Sequence, residues 1–208
     1  IGKISHIEDK TLDWYKRLLG DNGIIWLKGV WYPSCASERI MPKWFERHME
    51  KGVERQASAY EIYKYELNPA FADSDEEFID GFTKRLKERR ISLILDYVTN
   101  GFANDSKLIR DVPGVCITYS NERSFLEAVR RDTPVEAKDK NGMPRTDADI
   151  LCSQQFYRGG SYYRYVADFG PALVVRRAVT NPFEAPLLGV AQINYKDKRA
   201  REYMINMV

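Results

Sequence analysis

Cysteine and histidine are scarce in this chain. Its 208 residues include three cysteines and two histidines. Cys35, Cys116 and Cys152 are odd in number and form no C-x-x-C pair. Neither a disulfide scaffold nor a thiolate zinc site is expected. His6 and His48 have no partner at ligand spacing, so they are expected at the surface or in packing. An excess of one charge is also lacking. There are 32 basic and 30 acidic residues, a net charge of +2, and no basic stripe. A nucleic-acid partner is therefore not expected. No apolar run reaches the roughly 18 residues that cross a bilayer, so no membrane span is expected. Ile1–His6 lacks the features of a signal peptide and does not begin with Met. The missing Met points to a trimmed or partial chain. The compartment stays open, with the cytoplasm slightly ahead.

What is present is ordinary globular composition, enough for one sizeable domain or one domain with a large insertion. Leu12, Tyr15, Leu18 and Leu19 repeat at helical spacing, and Gly20 follows as a stop. Ile24–Leu27 predicts a short apolar strand, followed by Gly29–Pro33. A short helix is expected over 37–48, and a loop with a short extended piece over 57–65. Ser74 with Glu77 forms a capping-box pattern opening a helix with the stripe Phe78, Ile79, Phe82 and Leu86. Capping and the helix dipole explain the acidic cluster of Asp73, Asp75, Glu76 and Glu77 better than an acid pair does. The basic residues Arg85, Lys87, Arg89 and Arg90 suit the other end of that dipole.

Ile91–Leu95 is a second apolar run, expected to be a strand buried on both faces, and Asp96 stands at its end. In a parallel α/β sheet such a carboxylate lies where ligands bind. From about 102 to 189 apolar periodicity is weak. Turns are expected at Asn141-Gly142, Gly159-Gly160 and Asn181-Pro182, and short strands near 162–166 and 173–175. Gly159-Gly160 lacks the strand and helix context of a phosphate loop. The stretch is too long for a connection and is taken as an inserted subdomain. A closing helix is expected from about Asp197, with Ala200, Tyr203, Met204 and Met207 on one face.

Gly23–Trp31, Ala59–Phe71, Leu95–Asn100 and Val190–Tyr195, taken together and in this order, resemble segments of the α-amylase family, glycoside hydrolase family thirteen. Gly23–Trp31 is similar to its second barrel strand, and Ala59–Phe71 to the segment that follows. Leu95-Asp96-Tyr97-Val98-Thr99-Asn100 is similar to its first signature region, Leu-Asp-x-Val-x-Asn-His. Val190–Tyr195 is similar to the segment leaving the inserted domain. The resemblance implies an α/β fold: a partial (β/α)8 TIM barrel with the second and third strands, flanking helices and a loop-rich inserted subdomain. Its divisions would be 1–101, 102–189 and 190–208. It implies a glycosidase or transglucosylase acting on α-glucosidic bonds of glucans or oligosaccharides.

The resemblance makes Tyr60 the residue that stacks on a sugar ring, and Asp96 a support beneath the active site. Trp31 either lines the cleft or plugs it. Asn100 matches a calcium-associated asparagine, although a turn role is preferred because calcium wants six to eight oxygens. No cofactor is required; Ca²⁺ is the one candidate. The catalytic carboxylates are expected beyond Val208, so this chain alone is expected to be inactive. The remainder of the barrel is expected to cover the exposed strand edges. Two departures stand out. Gly101 occupies the place of a sugar-binding histidine, and Gln192 the place of an aspartate. These keep a second reading open, a noncatalytic relative that binds carbohydrate or serves as a partner module. A third reading is an unrelated α/β domain, which adjacent, parallel strands at 24–27 and 91–98 would oppose.

Overall fold

Helix α1, Asp9–Leu19, stops at Gly20, whose φ of +72° suits glycine and whose N–H donates to the Lys16 carbonyl. The computed structural model describes residues 3–34, 58–133, 137–152, 161–165, 173–179 and 186–207. His48, the helix expected over 37–48, and the turns at 159–160 and 181–182 lie outside these. The α1 stripe is narrower than its spacing implied. Leu12 is buried, but Tyr15, Leu18 and Leu19 are exposed. Ion pairs add to the Leu12 contact: Arg89 pairs with Asp13 at 2.7 Å and Asp9 at 3.0 Å, and Arg85 with Asp9 at 3.1 Å. Two of the basic residues assigned to the helix dipole therefore clamp α1.

Strand β1, Ile24–Leu27, leads to a second small sheet in which β2, Trp31–Pro33, pairs antiparallel with β3, Ile62–Leu67. Residues 62–65 of the stretch expected as a loop with a short extended piece are thus the start of a strand. Helix α2 is π-wound over Glu77–Thr83 and α-helical over Lys84–Glu88. Its capping box forms, slightly displaced. Ser74 Oγ accepts the Glu77 N–H at 3.1 Å, while the Glu77 carboxylate accepts the N–H of Asp73 at 2.6 Å. The π turns move the buried stripe to Phe78, Phe82 and Leu86 and leave Ile79 exposed, because a wider turn changes the phase of the helix.

Strand β4, Ser92–Leu95, runs parallel to β1, with Ile24 opposite Ser92 and Leu27 opposite Leu95. The expectation of burial on both faces is corrected. Ile25, Leu27, Leu93 and Leu95 pack on the layer of Leu12, Phe78, Phe82 and Leu86. On the other face Ile24 and Trp26 are each 56% exposed and Ile94 is 48% exposed. An apolar run supplies two apolar faces, but only one meets a packed layer among the described residues.

Strand β5, Gly101–Ala103, pairs antiparallel with the late strand β9, Val190–Gln192. The ends of the 102–189 stretch therefore lie side by side. Between them stand helix α3 (Leu108–Asp111), β6 (Thr118–Tyr119), helix α4 (Glu122–Asp132), helix α5 (Asp147–Cys152), β7 (Tyr162–Tyr165) and β8 (Leu173–Arg176). The last three strands form an antiparallel sheet in the order β6-β8-β7. The two expected strands are present, whereas the helices were not expected. Helix α4 packs Phe125 and Val129 on Ile150 and Tyr162, and Asn121 caps it by accepting the Ser124 N–H at 2.9 Å.

The closing helix α6, Lys198–Ile205, buries Ala200 and Met204, with Tyr203 and Met207 against the same core. That core joins Ile62, Phe102, Val115, Val175 and Met204. The architecture is mixed α/β, with four small sheets and no closed barrel among the described residues. No helix among those residues is long and apolar enough to cross a membrane.

Candidate functional site

Parallel pairing sets the site. The Asp96 N–H donates to the Leu27 carbonyl at 3.3 Å, so Asp96 stands one step past the carboxyl ends of β1 and β4. Two indoles hold it. Trp26 Nε1–H donates to Asp96 Oδ1 at 3.0 Å, and Trp31 Nε1–H donates to the Asp96 backbone carbonyl. Asp96 Oδ2 is buried and has no hydrogen-bond partner among the described residues. A buried carboxylate oxygen without a donor is costly, so it marks a place where a donor would be stabilised.

Lys28 connects Asp96 to Tyr60. Its ammonium lies 4.1 Å from the centroid of the Trp26 ring and 5.8 Å from that of Tyr60. A hydrogen bond with Tyr60 raises the Lys28 pKa, and the negative charge of Asp96 adds to it. Tyr60 is presented by a tight turn, in which its N–H donates to Ser58 Oγ at 3.3 Å and the Glu61 N–H to the Ser58 carbonyl at 3.2 Å. Trp26 and Tyr60 are both about half exposed. Two aromatic faces, an ammonium and a carboxylate thus share one open surface. Flat apolar rings beside polar groups suit a ligand with a C–H face and hydroxyl groups.

The structure brings Tyr60 and Asp96 to one end of the parallel pair. Trp31 lies on the inner side, partly buried, its ring edge-on to Tyr65 at 5.2 Å. Asn100 is exposed, and its backbone carbonyl accepts the Ile193 N–H. Among the described residues no group of three or more His, Cys, Asp or Glu side chains is arranged to hold a metal. Sequence reading missed Trp26 and Lys28. Their signal was period-two alternation: Ile24, Trp26 and Lys28 follow one face of β1, and Ile94 and Asp96 continue that face on β4.

Gly101 is buried in β5 opposite Gln192. A Cβ there would overlap the Ala191 carbonyl oxygen and Val190 Cγ1. The glycine permits the close approach of β9, and no side chain of any kind fits. Gln192 Oε1 is buried without a partner among the described residues.

No protein-family model and no curated protein matches this chain. Solved structures do. A trehalulose synthase mutant in complex with Tris matches with a TM-score of 0.51 and 16% identity, over 100% of this chain and 28% of its own. The trehalose-6-phosphate hydrolase of Bacillus licheniformis matches with a TM-score of 0.50 and 15% identity, over 100% and 29%. An α-amylase from Lactobacillus plantarum gives 0.48 and 16%, over 99% and 31%. The chain has the fold of a part of the trehalulose synthase and of the trehalose-6-phosphate hydrolase. It spans under a third of the length of these enzymes. A common fold carries no activity by itself, so function has to be argued from Tyr60, Lys28, Trp26 and Asp96.

Proposed function

We propose that this chain is part of an α-amylase-type glycosidase or transglucosylase acting on α-glucosidic bonds of glucans or oligosaccharides. In this reading β1 and β4 are the second and third strands of a partial (β/α)8 barrel. Residues 102–189 are its inserted subdomain, and the rest of the barrel covers the exposed strand edges and the apolar side chains of Ile24 and Ile94. One observation carries the proposal: Asp96, Lys28, Trp26 and Tyr60 converge at the carboxyl ends of a parallel strand pair. Ligands bind at that end in such folds.

Tyr60 offers its ring to the C–H face of a sugar. Asp96 supports the site from beneath: the indole of Trp26 fixes Oδ1, and the buried Oδ2, without a partner among the described residues, is where a donor would be stabilised. Lys28 supplies a cation between the two. Cleavage with retention needs a nucleophilic carboxylate and a general acid/base. We assign neither to a residue of this chain, and no step runs through calcium.

The test is kinetic. In an enzyme carrying this chain, Tyr60→Ala should lower kcat/KM on α-linked glucose oligosaccharides by about tenfold or more, ~1.4 kcal/mol of lost transition-state binding. Tyr60→Phe, which keeps the ring, should retain most of the activity. Unchanged kinetics in Tyr60→Ala would remove Tyr60 from the site. Reducing sugar released by the purified chain alone would contradict the assignment of the chemistry elsewhere.

A further inference from the structure

A cleft of about 810 Å³ lies between the β6-β8-β7 sheet, the end of α4 and the segment from β9 into α6. Tyr60, Trp26, Lys28 and Asp96 do not line it. Four cations do: Arg131 from α4, Arg176 from β8, Lys196 from the approach to α6 and Arg199 from its first turn. Only two carboxylates, Asp132 and Asp197, face them. Asp132 is shared between Arg131 at 2.7 Å and Arg176 at 3.2 Å. Asp197 is taken by Arg199 at 2.6 Å. Among the described residues Lys196 makes no ion pair. The lining thus carries two more cations than carboxylates, drawn from three separate elements around one concavity.

A concave surface with an excess of one sign of charge concentrates the opposite ion. Guanidinium groups match the oxygens of phosphate, and a lysine adds a point charge. The Arg176 side chain is only 23% exposed, so its charge is screened less than that of a free surface arginine. We propose that this cleft binds the phosphate group of a small polar molecule, with Arg176 and Lys196 as its principal contacts. The proposal does not rest on the carbohydrate reading, because it concerns binding at a different place and needs no turnover.

Calorimetric titration at fixed ionic strength tests it, with inorganic phosphate, glucose 6-phosphate and glucose as probes. One saturable site per chain for phosphate or its ester is expected, and none for glucose. Tighter binding of the ester assigns the natural ligand to phosphorylated small molecules; equal binding assigns it to the bare oxyanion. Lys196→Gln and Arg176→Gln should each weaken binding about tenfold or more. Arg123→Gln, on the exposed side of α4, should not. Lys196 carries no structural ion pair, so Lys196→Gln stays informative even if Arg176→Gln unfolds. Absence of saturable binding at millimolar phosphate overturns the proposal, as does equal affinity in the Lys196→Gln variant.

Discussion

At position 101 the backbone of β9 fills the space that a side chain would need. The motif resemblance implies a lost histidine here, and hence a lost contact to sugar. The geometry makes it a packing requirement: Ala191 and Val190 close over it. Gly101→Ala should destabilise the fold by about 1–3 kcal/mol, the usual cost of overpacking a filled interior. Urea unfolding measures this, and an unchanged midpoint would show that β9 can retreat. A histidine placed here is accordingly expected to disrupt β5 before it can reach any ligand. Asp96 was legible as a carboxylate ending an apolar run. Trp26 and Lys28 were not, because their role depends on which face of β1 stays open, and the sequence of β1 is apolar on both.

Among the elements, α6 shows how a short helix is anchored by the residue that caps its start. Asp197 Oδ1 accepts the Arg199 N–H at 2.9 Å, and the carboxylate also holds the Arg199 guanidinium. The Arg199 side chain, more than any other group, lowers the Asp197 pKa from 3.8 to about 2. The folded value lies below the unfolded one, so the stabilisation is complete above 3.8. It is lost as pH falls from there through about 2. Wild type should therefore exceed Asp197→Asn in urea midpoint at mildly acidic pH, and the gap should close as the pH approaches 2. A gap independent of pH would assign the cap no charge-dependent part. The helices α1, α2 and α6 were legible from spacing and caps. Helix α4 was missed although Asn121, Phe125 and Val129 mark it, because its other positions are mostly charged and mask the stripe. The π turns of α2 were also illegible, since i→i+5 bonding leaves no simple composition signal.

For the whole molecule, the open face of the β1–β4 pair dominates. Ile24, Trp26 and Ile94 present apolar surface next to strand edges that are unpaired among the described residues, a combination that promotes association. The purified chain should bind a hydrophobic dye and self-associate, and Ile24→Lys combined with Ile94→Thr should reduce both. Light scattering with circular dichroism checks the outcome. A monomer without dye binding at high concentration would mean that this face is covered within the chain. The parallel order of β1 and β4 followed from the sequence, since two apolar runs flank a capped helix. The single-sided burial did not, because it depends on what packs where.

The β5–β9 ladder has a consequence for how this protein can vary. It brings residues 103 and 190 together as neighbours. A tether whose ends are already joined pays for added length only logarithmically, about 0.6 kcal/mol for each doubling. Segments within that tether can therefore lengthen, shorten or be exchanged at small entropic cost, while the strands on either side keep their register.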